Sequence, residues 1–193
     1  MIQLIPETLF APLDLLEIFG REAPLQVDLG CGDGSFLCEL AARNPDRNFL
    51  GVEKLAGRVA KSCRKSSHLG NVRILNLEST YAVRHLLPAA SVETFYLFFP
   101  DPWPKRRHHR RRIVTASFLD AIASALMANG MVRIATDQLD YFRAIERLGQ
   151  QHPGFAVADS NDVELPMTKF QRRFTDLGAP IYWLALRKVS PVT

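Results

Sequence analysis

Residues 25–34 read LQVDLGCGDG and run straight into SFLCELAA: a short β-forming run, three glycines at alternate positions, then a helical pattern. That order is hard to satisfy except as a strand, a tight turn and a helix, because glycine takes positive φ without steric cost and lets backbone approach a ligand closely. The alternation then repeats. Further β-forming runs are NFLGVE (48–53), VRILNL (72–77), VETFYLFF (92–99), MVRIAT (131–136) and APIYWLAL (179–186), with helical patterns between them. Phe36, Leu37 and Leu40 share one helical face, as do Leu55, Val59 and Cys63, then Val114, Phe118, Ile122 and Leu126, and lastly Tyr141, Ile145 and Leu148. The expectation is an α/β fold in which crossover helices cover a parallel sheet. Asn129-Gly130 is expected to stop a helix ahead of MVRIAT, and Pro24 to precede the first strand. The least regular stretches, 99–112 and 160–178, are expected at the carboxyl ends of strands, where open α/β sheets bind ligands. The second of them reads equally as a loop or as a loop holding a short helix.

The 193 residues suit one domain, expected over 1–193, with a helical segment at 1–23 ahead of a core at 24–193. A hydrophobic fraction of 47% and a charged fraction of 23% belong to an ordinary globular chain and exclude disordered and fibrous classes. Cys31, Cys38 and Cys63 form no C-x-x-C pair, which points to a reducing compartment, the cytoplasm. The amino terminus lacks the basic start and long apolar core of a signal peptide, and no run reaches the roughly 18 apolar residues of a membrane span, so a soluble protein is expected.

The glycine loop is D-x-G-x-G-x-G, formed by Asp28, Gly30, Gly32 and Gly34. A dinucleotide fingerprint would read G-x-G-x-x-G and hold a pyrophosphate on helix-terminal N–H groups. Here an acid precedes the loop. Asp28 would repel a pyrophosphate but attract an ammonium, which favours S-adenosylmethionine over a nicotinamide dinucleotide. Glu53 closes the second strand near the 20-residue offset at which an acid grips ribose hydroxyls. Glu78 closes the third, where a carboxylate can accept from an adenine amino group or a nearby amide. The competing reading is a bare strand-to-helix turn with no ligand. With its acids, the constellation resembles the class I, Rossmann-like methyltransferases over about residues 25–136. The resemblance implies a mostly parallel seven-stranded sheet with helices on both faces.

Strand four leads directly into FPDPWPKRRHHRRRIV, residues 99–114. Pro100, Pro102 and Pro104 exclude a helix interior and predict a stiff, extended loop that holds Asp101 and Trp103 beside the donor pocket. Although the net charge is only +4, six of the eight residues from Lys105 to Arg112 are Lys or Arg. Arg106, Arg107, His108, His109, Arg110 and Arg111 therefore make a candidate RNA face, suited to phosphates and beside an aromatic suited to an unstacked base. Such a run is otherwise a solvated surface or a localisation signal. Trp103 either packs internally or stacks on a base. The two histidines have no partners at metal spacing, so no metal is expected.

This segment resembles the signature of the tRNA (guanine-N7)-methyltransferase family, FPDPW followed by a basic, His-containing run ending in RR-I/L-V. Thr136-Asp137 and Thr168-Lys169-Phe170-Gln171 agree, the latter where the family usually carries T-x-[FY]-E. The resemblance implies a tRNA partner, methylated at a guanine N7 in the variable loop, and a monomer or homodimer. It makes Asp101 the catalytic acid and a neighbour of the cofactor, alongside Asp28, Glu53 and Glu78. Lys105, Asp137 and Thr168 to Gln171 would meet the guanine and its RNA. Two departures stand out: Asp28 is where many members carry the longer Glu, and Gln171 replaces a Glu. The competing functions are methylation of a small metabolite or protein, and a non-catalytic RNA-binding module; a nicotinamide oxidoreductase fits least.

Overall fold

The computed structural model describes residues 2–160 and 164–189. In chain order the elements are β1 (Gln3–Leu4), α1 (Leu15–Phe19), β2 (Leu25–Leu29), α2 (Ser35–Arg43), β3 (Asn48–Glu53), α3 (Ala56–Ser66), β4 (Val72–Asn76) and α4 (Ser79–Tyr81). A π-helical turn (Ala82–Leu86) follows, then β5 (Val92–Phe98), a 3-10 turn (Arg106–Arg111), α5 (Ala116–Ala125) and β6 (Leu126–Thr136). The chain ends with α6 (Leu139–Gln151), β7 (Phe155–Ala158), α7 (Lys169–Asp176) and β8 (Tyr182–Lys188).

The strands form one sheet in the order β1-β4-β3-β2-β5-β6-β8-β7. Every pair from β1 to β6 is parallel, and β8 inserts antiparallel between β6 and β7. The seven strands implied by the resemblance are present; the two-residue β1 adds an eighth at the edge.

Alternate strand residues feed two cores, one on each face of the sheet, as strand periodicity requires. On one face Phe49, Val72, Ile74 and Tyr96 meet Phe36, Leu37 and Leu40 of α2 and Val59 of α3. On the other, Leu50, Val52, Phe95, Leu97, Val132 and Ile134 meet Leu86, Phe118, Ile122, Tyr141 and Ile145. Burial of each such side chain contributes roughly 1.5–3 kcal/mol. The doubly covered sheet explains why its strands read as near-continuous apolar runs.

Three local expectations are corrected. The helix ahead of MVRIAT ends at Ala125, not at Asn129-Gly130. Leu126 already pairs with Val92 and Met131 with Thr94, so the residues between bulge out of the strand, and Asn129 takes φ 62° there. Leu55 is 46% exposed rather than part of an apolar stripe, because it precedes α3 and its N–H is held by Glu53 Oε1 at 2.9 Å. Of the segment expected to be helical over 1–23, the described residues form a helix only over Leu15–Phe19, where Asp14 caps the first turn; Pro6 and Pro12 hold the preceding chain open.

Candidate active site

The chain leaves β2 for β3 on one side, while β5 pairs on the other, so the end of β2 is the point where strand order reverses. Ligands bind at this position in open α/β sheets. A cleft of about 630 Å³ opens there, lined by Asp28, Gly30, Gly32, Glu53, Glu78, Asp101, Trp103, Arg111, Thr168, Lys169 and Phe170 among others. Residues from the two irregular stretches thus meet those of the glycine loop in one cavity.

The loop is built by its own backbone and by Glu53. Gly30 and Cys31 donate to Val52 O at 2.8 and 3.1 Å, and Gly32 N donates to Glu53 Oε2 at 3.1 Å. Glu53 is 4% exposed, and with its other oxygen on Leu55 N it fixes both the loop and the start of α3. The three loop glycines all have positive φ, but they differ in purpose. A Cβ on Gly30 would meet nothing within 4 Å and one on Gly32 only a carbonyl at 4.0 Å, leaving room for a ligand. A Cβ on Gly34 would lie 2.2 Å from Ser62 Oγ. Gly34 does not line the cleft; it lets the start of α2 approach α3 closely.

Asp28 is 5% exposed; its backbone pairs within the sheet, but among the described residues its carboxylate has no hydrogen bond or ion pair. Burial, and then the neighbouring Glu53 charge, push its pKa up to about 7. Such a group is short of a cation. Glu78 is exposed and accepts from Tyr81 N at 2.9 Å, capping α4 while still lining the cleft.

Asp101 is exposed at the cleft wall. The loop carrying it is held by more than its prolines. Phe99 and Trp103 both take positive φ, 53° and 44°. Arg112, 9% exposed, donates to Pro102 O at 2.8 Å and to Asp140 Oδ2 at 2.7 Å, and its guanidinium lies 4.6 Å from the Tyr141 ring centre. Sequence reasoning placed Arg112 in a charged run without separating it from its neighbours, because the buried partners arrive from α6.

Beyond Pro104 the stretch is not extended throughout: Arg106–Arg111 form a 3-10 turn. Lys105, Arg106, Arg107 and Arg110 are exposed and do not line the cleft. His108 and His109 are half-buried; His108 meets the Trp103 ring edge-on at 5.8 Å, and Arg111 turns inward to lie 4.9 Å from the same ring. Trp103 therefore packs within its own loop while still facing the cleft.

The late stretch does hold a helix. Thr168 Oγ1 accepts from Gln171 N at 2.9 Å and starts α7. Gln171 sits at the third helical position, where its backbone N–H meets the Thr168 cap, and its side chain does not line the cleft. Lys169 is tied to Asp33 in the glycine loop, and Lys65 reaches the same carboxylate at 2.5 Å. Burial alone would raise Asp33, but hydrogen bonds from Lys169, Lys65 and Ser35 outweigh it and hold the carboxyl well below the usual range. Phe170 and Phe174 flank Phe99, with ring centres 6.0 and 5.3 Å from it. Asp137 accepts from Gln138 Nε2 at 2.6 Å and, like Lys105, stays outside the cleft. Sequence reasoning missed Asp33 in the glycine loop, Arg58 and Lys61 on α3 and Arg173 on α7; the i, i+3 spacing of Arg58 and Lys61 was the available signal.

Among the described residues no group of three or more His, Cys, Asp or Glu is placed to hold a metal, and no helix is long and apolar enough to cross a membrane.

Known proteins share both the fold and the sequence. The 16S rRNA methyltransferase KamB superposes with a TM-score of 0.62 at 18% identity, over 91% of this chain and 92% of that one. A tRNA (guanine-N(7)-)-methyltransferase of Halorhodospira halophila is 46% identical over 67% of this chain and 57% of its own length. Another, from Alkalilimnicola ehrlichii, is 37% identical over 92% of this chain and 78% of its own. The chain thus spans little more than half of the first relative and over three quarters of the second. The model of the family described as "Putative methyltransferase" matches residues 22–184. With that match over most of its length and relatives of this identity, the chain belongs to the tRNA (guanine-N7)-methyltransferase family.

Proposed function

We propose that this chain transfers a methyl group from S-adenosylmethionine to N7 of a guanine in the variable loop of tRNA. The observation that carries the reading is one cleft shared by a buried, unpartnered Asp28, by Glu53, and by Asp101 on a stiffened loop that continues into a cationic turn. The residues fit the cofactor: the space above Gly30 and Gly32 is open, and Asp28 lacks the cation that an ammonium would supply. When bound, S-adenosylmethionine supplies an electrophilic methyl on its sulfonium.

Asp28 holds the methionine ammonium, Glu53 the ribose and Glu78 the adenine end. Guanine N7 has an in-plane lone pair and no proton, so no general base is required. The protein's task is alignment, which contributes up to roughly 7–11 kcal/mol when two reactants are held in register. Asp101 accepts from the guanine N1–H and amino group and stabilises the positive charge that develops on the ring. Lys105, Asp137 and the residues from Thr168 to Gln171 border the acceptor, and the turn at Arg106–Arg111 meets RNA phosphates. Lys169, on the cleft lining, is also tied to Asp33.

The setting assigned to this chain is a single domain over residues 1–193, in the cytoplasm, as a monomer or homodimer. Mass spectrometry of tRNA nucleosides after incubation with the protein and S-adenosylmethionine tests substrate, reaction and atom together. Expected is 7-methylguanosine confined to variable-loop fragments. Unmodified tRNA beside a methylated small molecule or protein would overturn the assignment.

A further inference from the structure

A second cationic surface, separate from the Arg106–Arg111 turn, borders the cleft. α3 carries Arg58, Lys61 and Lys65 at i, i+3 and i+7, hence on one face, and α7 carries Lys169, Arg172 and Arg173 at i, i+3 and i+4. The two faces meet at Asp33, which pairs with both Lys65 and Lys169. One carboxylate thus joins two cationic helices and leaves the surface positive. Among the described residues neither Lys61 nor Arg173 has an acid within ion-pair distance, and both line the cleft rim.

These charges do not suit the methyl donor. S-adenosylmethionine carries a sulfonium and an ammonium against one carboxylate, so a ring of cations repels more of it than it attracts. A polyanion is the complementary ligand. Topology places this face well for one: α3 follows β3, the 3-10 turn follows β5, and β3 and β5 are the two neighbours of β2. The α3 part of this face and the 3-10 turn thus follow strands on opposite sides of the strand whose end carries the glycine loop, and α7, packed on Phe99 and tied to Asp33, bridges towards α3.

Resting on the tRNA reading above, we infer that the α3–α7 face is a second phosphate-binding surface for the substrate RNA. The nucleic acid is then held on both sides of the cleft, and the target guanine enters between two anchored stretches of backbone. Pairing through Asp33 fixes the spacing of the two helices, so the phosphate sites come at a set separation.

The test measures tRNA binding and methylation against salt for the parent protein and for Lys61→Ala/Arg173→Ala. Two lost phosphate contacts reduce the slope of log affinity against log salt by about 1.5. The KM for tRNA is expected to rise at least tenfold, with the dissociation constant for S-adenosylmethionine alone unchanged by calorimetry. The charge-preserving Lys61→Arg/Arg173→Lys is expected to return slope and KM to parental values, which separates charge from damage to the fold. An unchanged slope in the alanine pair, with the parent still methylating tRNA, overturns this inference alone. A weakened donor affinity with the RNA slope intact assigns the cations to the cofactor and likewise overturns it. A parent that neither binds nor methylates tRNA overturns both readings.

Discussion

Two carboxylates in one cleft live in opposite surroundings, and each sets a measurable expectation. Asp28 is buried, and its pKa rises from the ordinary 3.8 to about 7. Below pH 7 it takes up a proton and loses the charge that would hold an ammonium. Affinity for S-adenosylmethionine is therefore expected to climb between pH 6 and 8 and then level off; a flat calorimetric profile would remove Asp28 from that role, as would an Asp28→Asn variant of parental affinity. Because the folded value lies above the unfolded one, the contribution of Asp28 to stability falls as pH rises from about 4 to about 7, and donor binding should restore it. Asp101 stands in the open instead. Replacing it by alanine is expected to lower kcat by about a hundredfold or more, the scale for loss of one transition-state contact, with little change in donor affinity. Stopped turnover together with lost donor binding would point to damage of the pocket rather than to Asp101 itself.

At the level of elements, packing decides which motif residues touch a ligand. Gly34→Ala would force a positive φ on a side chain and drive a Cβ into Ser62; about 2–4 kcal/mol of destabilisation is expected from strain and overpacking, visible as a lowered melting temperature. Thr168→Ala removes the cap of α7 and is expected to cost roughly 1 kcal/mol. Faster amide exchange confined to α7 would locate the loss there, and uniform exchange would contradict it. The contrast explains what was legible in the sequence. Local spacing encodes the glycine loop, the strand runs and the proline segment, because each is decided within a few covalent neighbours. Lys169 and Asp33 are 136 residues apart, and Arg112 finds Asp140 only after α6 has packed. Neither pairing leaves a periodic trace, so a chain-order reading does not see the Lys169–Asp33 link and leaves Arg112 among its exposed neighbours. The Asn129-Gly130 pair was misread for a related reason: the dipeptide marks a turn equally well inside a strand bulge.

Across the whole molecule, the residues proposed to face the donor and those proposed to face the acceptor come from different parts of the sheet. Asp28 lies near the end of β2, Glu53 ends β3 and Glu78 follows β4, whereas Asp101 follows β5 and α7 lies in the connection between β7 and β8. Replacing Arg106, Arg107 and Arg110 together by alanine is expected to weaken tRNA binding and lower its salt slope by about 2 to 3, without altering donor affinity. A slope equal to the parent's would make that turn an ordinary solvated surface. Because β8 returns antiparallel between β6 and β7, the connection bearing α7 joins two adjacent strands at one edge of the sheet, remote in sequence from the glycine loop. Changes of length in that stretch are therefore expected to leave the glycine loop and its neighbouring acids in place, so long as the Lys169–Asp33 pair is kept.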